Sequence, residues 1–562
     1  MIKTLLRWWR TVRHIPPRQL LRRIYLKAVR GWRVRKAETY RERLRSTSSP
    51  HTALQDSLPD PLFPSREKRI QVREETCTLT FLNTSWTFPL GAFDWRPTDL
   101  QYGTRLWLLN LHYMEFVEGL SDEAFVTIVD DWIQHVPPYQ QQYWLDAWNS
   151  FAVSTRCVVW MQQFGRRGRR LPENFRRRML RSIDRQLRFL TDHLETDIGG
   201  NHLLRNIKAL LWGGRFWAHE DAQSWREIGR KTLSRQLDVQ ILEDGMHYER
   251  SPAYHVQVFA DLLECYAALP QGGLRNRLGN QLSRMAQVTA DLTHPDGRVS
   301  LFGDSGFDMA RSPSTCLHVW ENLSGEAPRP RRTINLPEAG YYGLRTDDEY
   351  ILVRCGQVAP DALPGHAHGD LFSFEWTIGE QRVVVDTGVY EYNAGVRRAH
   401  SRGTSAHNTV TVGGRDQCEF WGAFRMGRRA RVTRTNLRQS ETRFRLSGRH
   451  DGYRHLAGCP VHERTFDVEP RDIRVEDDVT GGEGQRVEAR LLLHPECSVD
   501  MTREDIEISG EEIDVFLETD APVSLRHAKW FPNFGVERSC KQIILRYGEA
   551  PCNGAFRLVR RS

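Results

Sequence analysis

From about residue 100 to 325 the apolar positions recur every three to four residues. The segments are "LSDEAFVTIVDDWIQHV", "SFAVSTRCVVWMQQF", "FRRRMLRSIDRQLRFLTDHL", "HLLRNIKALLWGGRFWA", "YHVQVFADLLECYAALP" and "LRNRLGNQLSRMAQVTADLTH", separated by short polar turns. This period predicts successive amphipathic helices stacked as a bundle, solenoid or toroid. From about 338 the pattern changes. "EYILVRCG", "LFSFEWTIG", "QRVVVDTGVY", "HNTVTVGG", "ERTFDVEP", "DIRVEDDV" and "EARLLLHP" are short, β-branched or alternating, and punctuated by Gly, Asp and Asn. They predict antiparallel sheets packed as a sandwich. The change falls at "PRPRRTINLPEAG", residues 328–340, and the Ser- and Pro-rich stretch 46–68 reads as a linker. The expected organisation is a basic arm with its linker over 1–68, a helical domain over 69–330 and a β-sandwich domain over 331–562.

Charge changes the picture only at one end. The 562 residues carry a net +8, but residues 1–50 hold 15 Lys or Arg against two Glu, so the rest of the chain is net negative. The basicity is therefore local. No nucleic-acid motif accompanies it, and nucleic acid is not an expected partner. The arm lacks the uninterrupted apolar core and small-residue cleavage site of a secretory leader. Its Leu20, Leu21, Ile24, Tyr25 and Ala28 fall near helical spacing. Two readings follow: a helix docked on the protein with its arginines in water, or a basic amphipathic helix on an anionic membrane surface over residues 1–45. The ten cysteines are scattered with no CxxC pair, which excludes a cysteine zinc module and a disulfide-dense scaffold. The 17 tryptophans include candidates for stacking on sugar rings.

Three polar clusters carry candidate chemistry. In "DIGGNHLLRNIKALLW" two glycines precede Asn201 and His202 at the start of a helix, where Asn201 suits an N-cap and the helix-end amides suit a carboxylate. In "ILEDGMHYERSPAYHVQVF" Glu243, Asp244, His247, Tyr248, Glu249, Arg250, Tyr254 and His255 gather before another helix, and Tyr254 is placed to transfer protons from its entry. In "LPGHAHGDLFSFEW" His366 and His368 share a face if the segment is extended, with Asp386 and His407 downstream. Two imidazoles and a carboxylate from separate strands suit Zn²⁺, although their spacing alone does not define a site.

Together the segments "GGNHLLRNIKALL", "DGMHYERSPAYHVQVFADLLE", "HPDGRVSLFGDSG", "GHAHGDLFSFEW", "VVVDTGVYEY" and "RGTSAHNTVTVGGRDQCEFWGAFR" resemble, in order, the heparinase II/III family of polysaccharide lyases. The resemblance implies an α/α toroid followed by an antiparallel β-sandwich, and β-elimination on a uronate-containing acidic polysaccharide. It implies that His368, Asp386 and His407 ligate a structural zinc and that Tyr254 and His366 are catalytic. Asn201 or His202 would neutralise the uronate carboxylate. Some members have a glutamate one turn into that helix; this chain has Arg205, so that role does not transfer.

Two other classes compete. A glycoside hydrolase would draw a carboxylate pair from Glu243, Asp244 and Glu249, and a non-catalytic polysaccharide-binding or assembly factor would keep the fold without the chemistry. Arginines 397, 398, 402, 415 and 425 are candidates for sulfate recognition. The expected location is the cell envelope or periplasm, with an acidic exopolysaccharide as plausible a polymer as a glycosaminoglycan.

Overall fold

The computed structural model describes residues 2–45, 54–55, 60–66, 69–73, 75–97, 105–502 and 506–561; most of the expected linker lies outside them. The chain divides into two compact units. One holds Met1–Ile15, Gln240–Phe259 and Gln281–Ser562, and the other holds Pro16–Val239 and Ala260–Asn280.

The helical segments, in chain order, are α1 Ile2–Val12, α2 Pro17–Arg35, α3 Ala37–Arg43, α4 Arg105–Tyr113, α5 Asp122–His135, α6 Ser150–Arg167, α7 Glu173–Asp192, α8 Gly200–Phe216, α9 Glu220–Gln240, α10 Pro252–Ala268, α11 Gly273–Asp291, α12 Pro313–Ser324 and α13 Val396–Arg402. Helix α5 shows why such segments fold. Ser121 accepts from the Ala124 amide as N-cap, Asp122 and Glu123 occupy the first turn and His135 the last, and Phe125, Ile128, Val129 and Trp132 form the buried stripe. Within the helical unit, α6 is buried along nearly its whole length and packs against α4, α7 and α8. Trp107, Trp132, Trp160 and Trp212 are core residues here, so these tryptophans serve packing, not sugar stacking. Arg156 lies buried over the Trp132 ring and donates to Gln186 and to the His112 and Ala147 carbonyls, which satisfies its charge inside the core.

The helical unit also holds an unexpected antiparallel sheet, β1 Ile70–Arg73, β2 Thr76–Phe81 and β3 Thr84–Pro89. Leu82 and Asn83, both at positive φ, make the two-residue turn between β2 and β3. The sequence signal was weak because the strands are short and rich in Thr and Ser.

In the other unit, β4 Thr333–Leu336, β5 Tyr341–Arg345, β6 Glu349–Arg354, β7 Phe374–Ile378 and β8 Gln381–Val384 form a meander in that order. Next come β9 Val410–Val412, the short hairpin β10 Phe420–Trp421 with β11 Arg425–Met426, β12 Val432–Gln439, β13 Phe444–His450, β14 Val461–Glu469, β15 Asp472–Thr480 and β16 Arg486–Leu492. The chain ends with β17 Ser498–Asp500, β18 Ile506–Ser509, β19 Asp514–Glu518, β20 Val523–Asn533, β21 Val536–Glu549 and β22 Cys552–Arg560. An eight-stranded sheet runs β12-β13-β14-β15-β22-β19-β18-β17 and a four-stranded one β20-β21-β16-β9. Strands β14 and β15 alternate buried and less buried positions, as expected of a sheet with one face in the core. Phe374, Trp376, Phe466, Val475, Leu491 and Ile543 from the facing sheets share one core, which makes the sandwich.

The polar side of that core is a buried pair. Arg464 on β14 forks onto Asp477 on β15 at 2.7 and 2.9 Å and also donates to the Phe372 and Asn408 carbonyls, at 3.0 and 2.7 Å. Asn408 in turn donates to the Phe374 and Val385 carbonyls and accepts from the Leu492 amide. The sandwich thereby holds the residues next to His407 in place.

The basic arm departs from the expectation of arginines in water. On α1, Arg10 donates to Glu419 at 2.7 and 2.9 Å and Arg7 does so at 3.3 Å, while Trp8 meets the Trp421 ring edge-on. On α2, Arg23 donates to the Asp197 carbonyl and buried Arg33 to His193. Burial opposes the Glu419 charge, but the Arg10 hydrogen bond and the Arg428 amide outweigh it and hold its carboxyl at about 2. An unfolded glutamate titrates near about 4.3, so the stabilisation is complete above that pH and is lost as pH falls toward about 2. The difference in unfolding free energy between wild type and Glu419→Gln is therefore expected at pH 7 and should shrink to nothing in acid. Denaturant titrations at several pH values check this, and a pH-independent difference contradicts it.

Candidate active site

The site in the β-containing unit is built around one carboxylate. Asp304 is fully buried in the turn "FGDSG". Its Oδ2 accepts from His366 Nδ1 at 2.8 Å and Arg398 Nη2 at 2.8 Å, and its Oδ1 accepts from His368 Nε2 at 2.8 Å and from Arg398 Nη1. Burial disfavours the charge on Asp304, yet Arg398 and the two imidazole N–H donors hold its carboxyl well below the usual carboxylate range. Gly303 is required beside it. Its φ is +59°, and a Cβ there would lie 2.9 Å from the His366 carbonyl.

The two histidines therefore do not lie on one face of an extended strand. Residues 366–370 are irregular, and both imidazoles converge on Asp304 through different nitrogens, which leaves different nitrogens to act. With Nδ1 given to Asp304, Nε2 is the nitrogen His366 leaves for proton transfer. That Nε2 lies 3.6 Å from Glu249 Oε2, and its side chain keeps 13% exposure. With Nε2–H given to Asp304, His368 presents Nδ1, a buried atom with no hydrogen-bond partner among the described residues.

Tyr254 stacks on His366 with ring centroids 3.9 Å apart, and both belong to the same compact unit. Local sequence explains its placement. In "SPAY", Ser251 Oγ accepts from the Tyr254 amide at 3.3 Å, and Pro252 fills the first helical position of α10. Ser251 Oγ also lies 2.8 Å from the Asp304 carbonyl, to which it can donate, so the helix start and the Asp304 turn share one hydroxyl. The Tyr254 phenol is 2.9 Å from that of Tyr392. Burial, with Asp304 and Tyr254 nearby, raises Tyr392 well above the usual tyrosine value, so it stays protonated and can donate to a Tyr254 phenolate.

Beside this pair His368, Asp386 and His407 come together, each fully buried, with one ligand atom apiece lying within 4.8 Å of the others. Asp386 follows β8, and His407 precedes β9 after the short turn Thr404–Ala406. His407 Nδ1 donates to Asp386 Oδ2 at 2.9 Å, while His407 Nε2, like His368 Nδ1, is buried without a hydrogen-bond partner among the described residues. Burial lowers His368 to about 4, which keeps it neutral as a metal ligand must be. Two orphaned imidazole nitrogens and a carboxylate fit a borderline-soft divalent ion such as Zn²⁺. Glu375 on β7 supports the cluster by accepting from the Asp386 and Leu301 amides and from His294.

Asn201 and His202 belong to the helical unit. Asn201 is not the N-cap. Gly199, at φ +74°, takes that position, and Asn201 lies buried in the first turn of α8. His202 Nδ1 lies 3.0 Å from Glu195 Oε1. Arg205, which stands where some family members carry glutamate, pairs with buried Asp261 at 2.9 Å, and Lys208 bonds the same carboxylate and Glu264. Its charge is used in the core.

The carboxylates that a hydrolase would need are differently engaged. Asp244 accepts from the Met246 and Ala339 amides, Glu243 is exposed, and of the three only Glu249 borders His366. His247 and His255 are buried and hydrogen-bonded within the fold. Arg398 binds Asp304, Arg402 donates to the Ala367, Ala423, Arg425 and Pro364 carbonyls, Arg397 pairs with Glu537, and Arg425 covers Trp8 and Trp421. The expected sulfate-binding group is thus largely committed to structure. Sequence reasoning missed Asp304 and Tyr392, although both lie in segments that carry the family resemblance, and Arg398, a candidate for sulfate or for solvent, instead binds Asp304.

The comparisons agree with this architecture. The heparinase II/III N-terminus model matches residues 110–322 and the heparinase II/III-like, C-terminal model matches residues 328–558. The chain belongs to the heparinase II/III-like family. A heparin-sulfate lyase of Pedobacter heparinus is 27% identical over 260 residues, covering 42% of this chain and 38% of that protein. The FtsZ-localized protein C of Caulobacter vibrioides is 24% identical over 506 residues, covering 82% of this chain and 83% of that one. The heparin-sulfate lyases it matches are covered over less than half of their own length. A crystal structure of heparinase III superposes at TM-score 0.69 with 18% identity, covering 84% of this chain and 80% of that one. The fold is an α/α toroid with antiparallel β-sheets following it.

Replacing Arg398 with Met should leave Asp304 buried without its fixed cation and lower the unfolding free energy by about 3–5 kcal/mol. Chemical denaturation checks this, and a loss under about 1 kcal/mol, typical of an exposed pair, contradicts it.

Proposed function

We propose that the protein is a polysaccharide lyase that cleaves a uronate-containing acidic polysaccharide by β-elimination. The observation that carries this reading is the Tyr254–His366 stack, with Asp304 fixing the imidazole and Tyr392 on the phenol. Elimination needs a base to take the C5 proton, after which the electrons of that bond form C4=C5 and the C4–O4 bond breaks. An acid must then protonate the departing O4. A tyrosine and a histidine serve these two steps, or Tyr254 serves both, according to the stereochemistry at C5. Negative charge developing on the carboxylate must also be stabilised; that role is proposed for Asn201 or His202 on the family pattern. The heparin-sulfate lyases among the relatives support a glycosaminoglycan-like polymer. The proposed place of action is the cell envelope.

Zn²⁺ is the proposed metal at His368, Asp386 and His407, where it would cross-link the segments after β8 and before β9 to the loop that carries His366. Bound there, it would be structural, and proton transfer would fall to Tyr254 and His366. His368→Ala should lose bound metal in elemental analysis while His366→Ala retains it, and chelation should lower the unfolding temperature of wild type but not of His368→Ala. Equal metal in both variants would overturn the assignment.

A second reading is favoured by one observation, the near-full-length relative named for localisation to FtsZ. In that reading this chain is an assembly factor that keeps the fold. Tyr254→Phe and His366→Ala separate the two. The lyase reading expects each to lower turnover by about 10²-fold or more in a screen of uronate polymers. Variants that keep full biological activity would favour the assembly factor.

A further inference from the structure

On the first two helices several arginines turn inward and several large apolar side chains turn outward, with Leu26 the one buried apolar side chain of α2. A helix docked on a core normally turns its apolar stripe inward and its charges outward. On α1, Arg7 and Arg10 reach inward to Glu419, and the Thr11 hydroxyl accepts from the Trp421 indole, whereas Leu5, Leu6 and Trp9 face out at 62, 49 and 61% exposure. On α2, taken by itself in the helical unit, Arg23 and Arg33 reach inward to the Asp197 carbonyl and His193. There Leu21, Ile24, Tyr25 and Trp32, at helical spacing, are 66, 58, 49 and 54% exposed. The inward arginines anchor each helix, so the outward hydrocarbon is a fixed surface. Exposed Arg13 follows the α1 face, and exposed Arg18, Lys27, Arg35 and Lys36 flank that of α2.

We propose that the outward face of α1 and that of α2, each on its own unit, dock on a lipid bilayer with anionic headgroups. Leu, Ile and Trp side chains on a rigid helix enter the boundary between headgroup and acyl chain, with Trp and Tyr favouring that level. The flanking Lys and Arg meet the negative surface. No helix among the described residues is long and apolar enough to cross a membrane, so the contact is peripheral. A second copy of the chain is a poor occupant, because the first 50 residues carry 15 Lys or Arg against two Glu and would face the same excess. The lipid surface supplies both the missing apolar partner and the missing anions.

Flotation of the full chain with vesicles tests this. With phosphatidylglycerol and phosphatidylcholine mixed, wild type should float at least about tenfold more than with phosphatidylcholine alone, and salt should weaken the binding. Leu5→Glu with Trp9→Glu, and separately Leu21→Glu with Ile24→Glu, should each reduce flotation by about tenfold while leaving the unfolding temperature unchanged. Wild type that stays unbound with both vesicles overturns the proposal. So does wild type that floats equally with both, or variants that float as well as wild type. Lipid-free dimerisation abolished by the same substitutions would assign these faces to a second copy instead.

Discussion

The buried charge on Asp304 is the constraint on which the site depends. An ionised carboxylate removed from water costs several kcal/mol unless its oxygens are satisfied by donors of opposite charge or strong polarity. Arg398, His366 and His368 provide them, and in doing so they lose their freedom. One carboxylate thus decides which nitrogen of each histidine is left to act. For His366 it is Nε2, beside Tyr254 and Glu249; for His368 it is Nδ1, beside Asp386 and His407. The proposed proton-transfer group and the proposed metal ligand, two residues apart, are separated by their common anchor.

The scaffold around Asp304 follows the same rule. Asp370 takes Arg354 at 2.8 Å and the Gly303 amide at 3.1 Å, and Glu375 collects His294 with the Leu301 and Asp386 amides. These buried carboxylates tie the turn that carries Asp304 to strands β6 and β7. Stability and site geometry are therefore the same set of contacts, and the strands themselves need no catalytic group pointing from them.

Much of this was legible in the sequence, and the limits are physical. Helices α5 to α8 announce themselves because their apolar stripes repeat cleanly, whereas the buried stripe of α9, Ala222, Trp225, Gly229, Leu233, Leu237 and Gln240, keeps helical spacing but fills two positions with Gly and Gln, which hides it from a hydrophobic pattern. Strands β14 and β15 alternate visibly, but β20 is buried only at its end and β21 only in its middle, between exposed polar stretches, and both escaped notice. Tyr254, His366, His368, Asp386 and His407 could be singled out as residues of suitable chemistry, and the fold groups them. Asp304 could not. A lone aspartate between glycines in "FGDSG" reads as a turn residue, and only its convergence with residues some 60 to 95 positions later reveals its work. The arm misled in the opposite direction: its arginines suggested solvent, yet several bind the protein.

The proposed lyase breaks a glycosidic linkage by elimination, with proton transfer to and from the sugar and no addition of water. Running the reaction on a defined uronate oligosaccharide in heavy-oxygen water, with mass spectrometry of both products, addresses it directly. The account predicts two products whose masses sum to that of the substrate, one carrying a C4=C5 double bond and neither carrying the label. Products that together gain one water, with labelled oxygen at the cleaved end, would contradict it.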